Sequence, residues 1–167
     1  MNRNSFNYGA ILMTPPHASA EIKGSTDYPD IRGFMRLYQT RNGVLISTDI
    51  KGLPYYPDSC KHRIYGYHIH DGNKCEGDMQ DPFSHAMSHY NPNNCIHPFH
   101  AGDMPPLFGN QGHVFSAFLT DRFSLSDVIG KTVIIHGNPD DFTTQPAGNA
   151  GEKLACGVIK ACRNLCK

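Results

Sequence analysis

Apolar and polar residues alternate with a period of two in several separate stretches of the chain. That is the pattern of strands buried on one face. AEIKG (20–24) and IRGFMRLYQ (31–39) come first. Asn42-Gly43 separates the second of these from VLISTDIKGL (44–53), a hairpin signal. RIYGYHIH (63–70), HVFSAFLTD (113–121), KTVIIHG (131–137) and KLACGVIKAC (153–162) follow. In 113–121, Val114, Ser116, Phe118 and Thr120 share one face; Phe115, Ala117 and Leu119 share the other. SLSD (124–127) reads as a capping box, so one helical turn is expected just before Val128. No 3.6-residue period persists over three turns, and there is neither an internal repeat nor a low-complexity linker. Two long stretches, 71–112 and 137–152, carry no pattern, and histidines flank both. Loops of that length in a compact domain are usually functional or disordered. The pattern therefore predicts an all-β fold, an antiparallel sandwich or barrel with two elaborate loops. It fits one domain over 1–167, with 1–18 as an irregular N-terminal extension.

Composition narrows the function classes. The 167 residues are enough for one domain with a real core. Lys plus Arg and Asp plus Glu are equal at 15 each, and no run of like charge stands out, which argues against a nucleic-acid partner. No apolar run approaches the ~18 residues of a membrane helix. GAILM (9–13) is too short and too interrupted for a secretory signal. The chain is therefore expected to be cytoplasmic, or a mature form whose leader has been removed. The 16 glycines and 12 prolines point to many turns. The 6 cysteines show no C-x-x-C zinc pattern, whereas the 10 histidines lean toward metal.

The candidate chemistry lies where those histidines gather. His68 and His70 occupy alternate positions at a strand end, so both can converge on one ion. His136 ends another strand. SHYNPNNCIHPFHAGD (88–103) holds His89, His97, His100 and Asp103, and H-x-x-H-x-x-D puts three good zinc ligands at short spacing. A lone histidine is more often a surface or core residue than a ligand. The combination carries the metal reading: strands fix some ligands and loops supply the rest.

GYHIHD (66–71), SHYNP (88–92), HAGDMPPL (100–107), GKTVIIHGNPDDF (130–142) and AGNAGEKLACGVI (147–159) together resemble the copper/zinc superoxide dismutase family, in the family's order. The likeness spans roughly residues 20 to 160. It implies a Greek-key β-barrel of about eight antiparallel strands and assigns roles residue by residue. His68, His70 and His136 would bind copper, and His89 would bridge copper and zinc. His97, His100 and Asp103 would complete a tetrahedral zinc site, structural because four protein ligands leave no open position. Asp140 would orient His68 and His97 through their other ring nitrogens. Cys75 and Cys156 would form the disulfide. The implied activity converts superoxide to oxygen and hydrogen peroxide, with His89 taking up a proton and returning it to product.

The chain departs from the family at two places. Lys153 stands where the family has an arginine; it keeps the charge for guiding an anion but loses the planar fork. Lys153 also reads as an ordinary solvated lysine at a strand start, and the adjacent Glu152 would oppose attraction of superoxide. The other departure is the short zinc loop, with only Pro98 and Phe99 between His97 and His100. His85 lies in the long stretch before His89 and is read as no ligand; His17, His62 and His113 are read as ordinary. Cys60, Cys95, Cys162 and Cys166 have no pairing deducible from sequence. The leading expectation is a copper- and zinc-dependent dismutase. The alternative is a metal-binding protein of the same fold with little activity, and a β-sandwich interaction module ranks last. A homodimer and a copper-delivering partner stay open.

Overall fold

The computed structural model describes residues 7–57 and 64–162. In chain order the elements are α1 (Tyr8–Leu12), β1 (Ala18–Gly24), β2 (Arg32–Thr40), β3 (Gly43–Lys51), β4 (Ile64–Tyr65), β5 (Tyr67–His70), a 3-10 turn (Ser84–Ala86), β6 (Leu107–Phe108), β7 (Val114–Thr120), α2 (Leu125–Val128), β8 (Thr132–His136), β9 (Lys153–Val158) and β10 (Lys160–Ala161). Eight strands form one curled antiparallel sheet in the order β5-β8-β9-β1-β2-β3-β7, with β10 paired to β1. The expected barrel architecture is present. β4 and β6 form a separate two-stranded piece.

Period-two burial makes the core. Ala18, Ala20 and Ile22 of β1, Met35 and Leu37 of β2, Val44, Ile46 and Ile50 of β3, Ile69 of β5 and Val133 and Ile135 of β8 are all within the central cluster. Burying each branched aliphatic side chain stabilises the fold by roughly 1.5–3 kcal/mol. The β2–β3 hairpin turns through Arg41 and Asn42, because Thr40 pairs with Gly43. Gly43 itself opens β3 at φ +123°, and a side chain there would meet the Thr120 carbonyl. The turn is thus one residue earlier than the Asn-Gly signal suggests.

Three other elements differ from expectation. The stretch read as a single strand over 63–70 breaks at Gly66 into β4 and β5, and Arg63 lies outside the described residues. The stretch 153–162 likewise breaks at Ile159. The segment read as irregular over 1–18 carries α1, and Ala18 already belongs to β1. Tyr38 and Leu45 on the outer face of the sheet are buried, and the Tyr38 hydroxyl donates to Leu12 O at 3.5 Å. In α2, the Ser124 N–H donates to Asp127 Oδ2 at 2.8 Å, the reciprocal bond that SLSD predicts.

A smaller cluster lies on the opposite face of β8 and β9. Phe83, Ala86, Ile134 and Cys156 pack there, with Cys75 against them. The Cys75–Cys156 disulfide closes it. Together they fasten the long segment after β5 onto the barrel.

Candidate metal centre

Alternation along β5 sets the site. Ile69 points into the barrel core, so His68 and His70 share the other face. The same logic on β8 sends Val133 and Ile135 inward and brings His136 out near the pair. The free edge of β5 is lined by loop backbone. His68 bridges to Asp103 and His70 to His89. The Tyr90 N–H donates to Ile69 O at 2.8 Å, and the Ile69 N–H donates to Gly102 O at 2.9 Å. Gly102 allows this approach, since a Cβ there would strike the Ile69 carbonyl.

Two ligand sets result. His68, His70, His89 and His136 form one; His89, His97, His100 and Asp103 form the other. Within each set the candidate ligand atoms lie within 4.8 Å of one another, and every member is buried. His89 belongs to both.

Hydrogen bonds fix which ring nitrogen is free. Asp140 accepts from His68 Nε2 at 2.7 Å through one oxygen and from His97 Nε2 at 2.8 Å through the other. His70 Nδ1 donates to Met87 O at 2.8 Å, and His136 Nδ1 to Gly151 O at 3.3 Å. With those protons assigned, the Nε2 lone pairs of His70 and His136 face each other at 3.3 Å. Two acceptors at that distance call for a cation between them. His68 Nδ1, His89 Nε2 and His97 Nδ1 are buried with no hydrogen-bond partner, an arrangement that is costly unless an ion satisfies them. His97 Nδ1 also lies 3.0 Å from Asp103 Oδ2, with lone pairs facing rather than a bond. Asp103 Oδ1 lies 2.8 Å from His89 Nδ1.

Electrostatics keeps the rings ready for metal. Burial pushes His68 down, His70 well down and His136 to about 3; neighbouring histidines push the same way. The rings are therefore neutral at physiological pH, as ligation requires. Asp140 behaves oppositely. Burial raises it, but hydrogen bonds from His68, the Phe142 N–H and His97 outweigh burial and hold it far below the usual carboxylate range. Imidazoles suit copper, and three histidines with one carboxylate suit tetrahedral zinc. The residues present fit both ions.

The remaining sequence candidates fall as follows. Lys153 is not a free cation: its Nζ lies 2.6 Å from Asp81 Oδ2 and donates to Phe83 O at 3.1 Å. Glu152 accepts from the Tyr28 hydroxyl at 2.7 Å. His85 is exposed, 3.7 Å from Glu76, and belongs to neither set. His113 pairs with Asp49, and His17 Nδ1 accepts from the Gln39 N–H. Cys95 and Cys162 are free thiols. His62, Cys60 and Cys166 lie outside the described residues.

Sequence reading missed three residues that shape the site. Asp81 holds Lys153. Gln145 brackets the His97 backbone, accepting from its N–H at 3.0 Å and donating to its carbonyl at 2.8 Å. Arg122 donates to the zinc-loop carbonyls. Each acts across a long sequence separation on backbone or on another charge, so no local motif marks it.

Comparison with known proteins agrees with this geometry. The family model for copper/zinc superoxide dismutase matches residues 31–159. A copper-zinc superoxide dismutase 2 of Aquifex aeolicus is 32% identical over 91% of this chain and 95% of its own length. The copper-zinc superoxide dismutase of Legionella pneumophila is 35% identical over 85% and 86%, and that of Escherichia coli K12 is 31% identical over 77% and 78%. Because the matched region runs from the start of β2 to the end of β9 and includes every ligand above, the chain belongs to the copper/zinc superoxide dismutase family.

Proposed function

We propose that the protein dismutes superoxide at a histidine-bridged copper and zinc centre. The observation that carries this reading is His89. One buried imidazole contributes to both ligand sets, with Nε2 unpartnered toward the all-histidine set and Nδ1 toward Asp103. His68 Nδ1, His70 Nε2, His89 Nε2 and His136 Nε2 would hold copper. His89 Nδ1, His97 Nδ1, His100 Nδ1 and an Asp103 oxygen would hold zinc.

Copper, when bound, supplies the one-electron acceptor and donor for the two half-reactions. One superoxide gives up an electron and leaves as oxygen; a second gains an electron and two protons and leaves as hydrogen peroxide. The chain's own part is orientation and proton handling. Asp140, Met87 O and Gly151 O hold the ring protons of His68, His97, His70 and His136 away from the metal side. His89 Nε2 is the ring position able to carry a proton toward the product, while Nδ1, on the opposite edge beside Asp103, would stay committed to the zinc set.

The test is metal content followed by superoxide consumption on the same sample. One copper and one zinc per chain with fast turnover is the expected result. Correct metal content without turnover would leave the second reading, a metal-binding protein of this fold. That reading draws support from the compensation of Lys153 by Asp81. Pairing into a homodimer is part of the proposal, supported by exposed apolar residues on the outer sheet face, Phe34 and Phe115. So is copper loading by a delivery partner, supported by the burial of all four imidazoles of the copper set.

A further inference from the structure

We infer that Arg122 is a positioning residue for the zinc set, acting through the backbone of the loop that carries His97, His100 and Asp103. This rests on the reading of that set as a zinc site. Arg122 Nη1 donates to Asp103 O at 2.9 Å and lies 3.4 Å from both Pro98 O and His100 O. One guanidinium thus gathers three carbonyls from six residues of chain.

The loop is held from outside at three places: Gln145 brackets the His97 backbone, the Ile69 N–H donates to Gly102 O, and Arg122 gathers carbonyls of the segment between and beside them. No strand or helix runs through 91–103. Its own backbone bonds near the ligands are few: the Phe99 N–H to Ile96 O at 2.8 Å and the Asp103 N–H to His100 O at 3.2 Å. Carbonyl oxygens pointing at one place repel. The Nη1 amino group of the guanidinium brings N–H donors and positive charge to that one place, so it relieves the repulsion and fixes the carbonyls' spacing. Asp103 is then held at both ends. Its carbonyl meets Arg122, while its carboxylate accepts the His100 N–H at 3.1 Å and faces His89 at 2.8 Å.

Arg122 can serve as an anchor because it is itself tied to the barrel. It follows β7 within two residues, and its N–H donates to Thr120 Oγ1 at 3.3 Å. The next residue, Phe123, is in the core, and α2 starts directly afterwards. Its positive charge does nothing to attract a zinc ion. Its effect on the site must therefore come through geometry, the mode by which partners behind a ligand tune metal affinity.

The experiment uses the full chain stripped of metal. Zinc affinity is measured by chelator competition, and cobalt(II) bound at the zinc set is followed by its visible ligand-field spectrum. Copper(II) affinity and the denaturation midpoint of the metal-free protein are measured alongside. Arg122→Ala is expected to weaken zinc about 10–100-fold and to reduce the tetrahedral cobalt bands. Copper affinity and the metal-free midpoint should stay near the wild-type values. Arg122→Lys keeps a charged donor on a shorter side chain and should fall between wild type and alanine. Unchanged zinc affinity in Arg122→Ala overturns the inference. So does a parallel loss of zinc, copper and metal-free stability, which would mark general destabilisation. A wild-type chain that takes no zinc overturns the reading of the ligand set itself, before any variant is compared.

Discussion

Lys153 Nζ lies 2.6 Å from Asp81 Oδ2, with 15% of the lysine side chain exposed. The charge of Lys153 is therefore compensated from the segment that follows Cys75. Lys131, next to the Thr132 that pairs with His70, is compensated in the same way by Asp71 at 2.6 Å.

A compensated lysine steers an anion poorly. Asp81→Asn frees Lys153, and the second-order rate with superoxide at low ionic strength should rise by about tenfold, the low end of electrostatic steering. Lys153→Met should lower the rate less than Asp81→Asn raises it. Stopped-flow rates across a salt series decide the matter. An unchanged salt slope in Asp81→Asn removes Asp81 from any role in guidance.

Gly148 sits at φ +66°, and a Cβ there would run into Asp140 Oδ1 and come within 2.6 Å of His97 Nε2. Gly148→Ala should cost more than the roughly 1–2 kcal/mol of a left-handed alanine, because it also wedges apart the Asp140–His97 contact. Equilibrium unfolding and zinc competition read both effects. A wild-type unfolding midpoint with wild-type zinc affinity would falsify this.

Asp140→Asn leaves one acceptor for two ring N–H groups. The amide nitrogen then faces either His68 or His97, donor against donor. Zinc and copper affinities should both fall, by about 10–100-fold. A loss confined to one metal contradicts the shared role of this carboxylate.

The Cys75–Cys156 bond joins positions 81 residues apart. Removing both sulfurs by Cys75→Ala and Cys156→Ala should cost about 4.5 kcal/mol by loop-closure entropy. Denaturant unfolding measures it. Equal stability of the oxidised wild type and the double variant would show that Phe83 and Ala86 alone hold the segment.

Chelating zinc should release the loop before the barrel. Amide exchange across 97–103 is expected to speed up while β1, β2 and β3 keep their protection. Uniform loss of protection would mean that metal and barrel fold as one unit.

Most of the barrel was legible in the sequence because β1, β2 and β7 alternate in burial and β3 and β8 are apolar-rich runs bounded by turn residues. β1, β2, β3, β7 and β8 each coincide with a strand stretch read from the chain. β6 was not, since two residues, Leu107 and Phe108, cannot express a period. Gly66 was hidden inside an apparently continuous strand, although its amide and carbonyl turn to Asn138 and His136. The ligands were legible as residue types at characteristic spacing. Of their partners, Asp140 was read through the family likeness, but Asp81, Arg122 and Gln145 were not: they reach the site across 72, 19–24 and 48 residues respectively, and ordinary acids, arginines and glutamines carry no local signature.

Asp140 has one further consequence. Its two oxygens each fix one ring, His68 in the copper set and His97 in the zinc set. Ordering that carboxylate for one ion leaves less to order for the other, so the two binding equilibria are linked. By reciprocity, whatever factor zinc adds to copper affinity, copper must add to zinc affinity. A chain that fills either site first thereby prepares the second, and partly loaded molecules become scarcer than two independent sites would leave them.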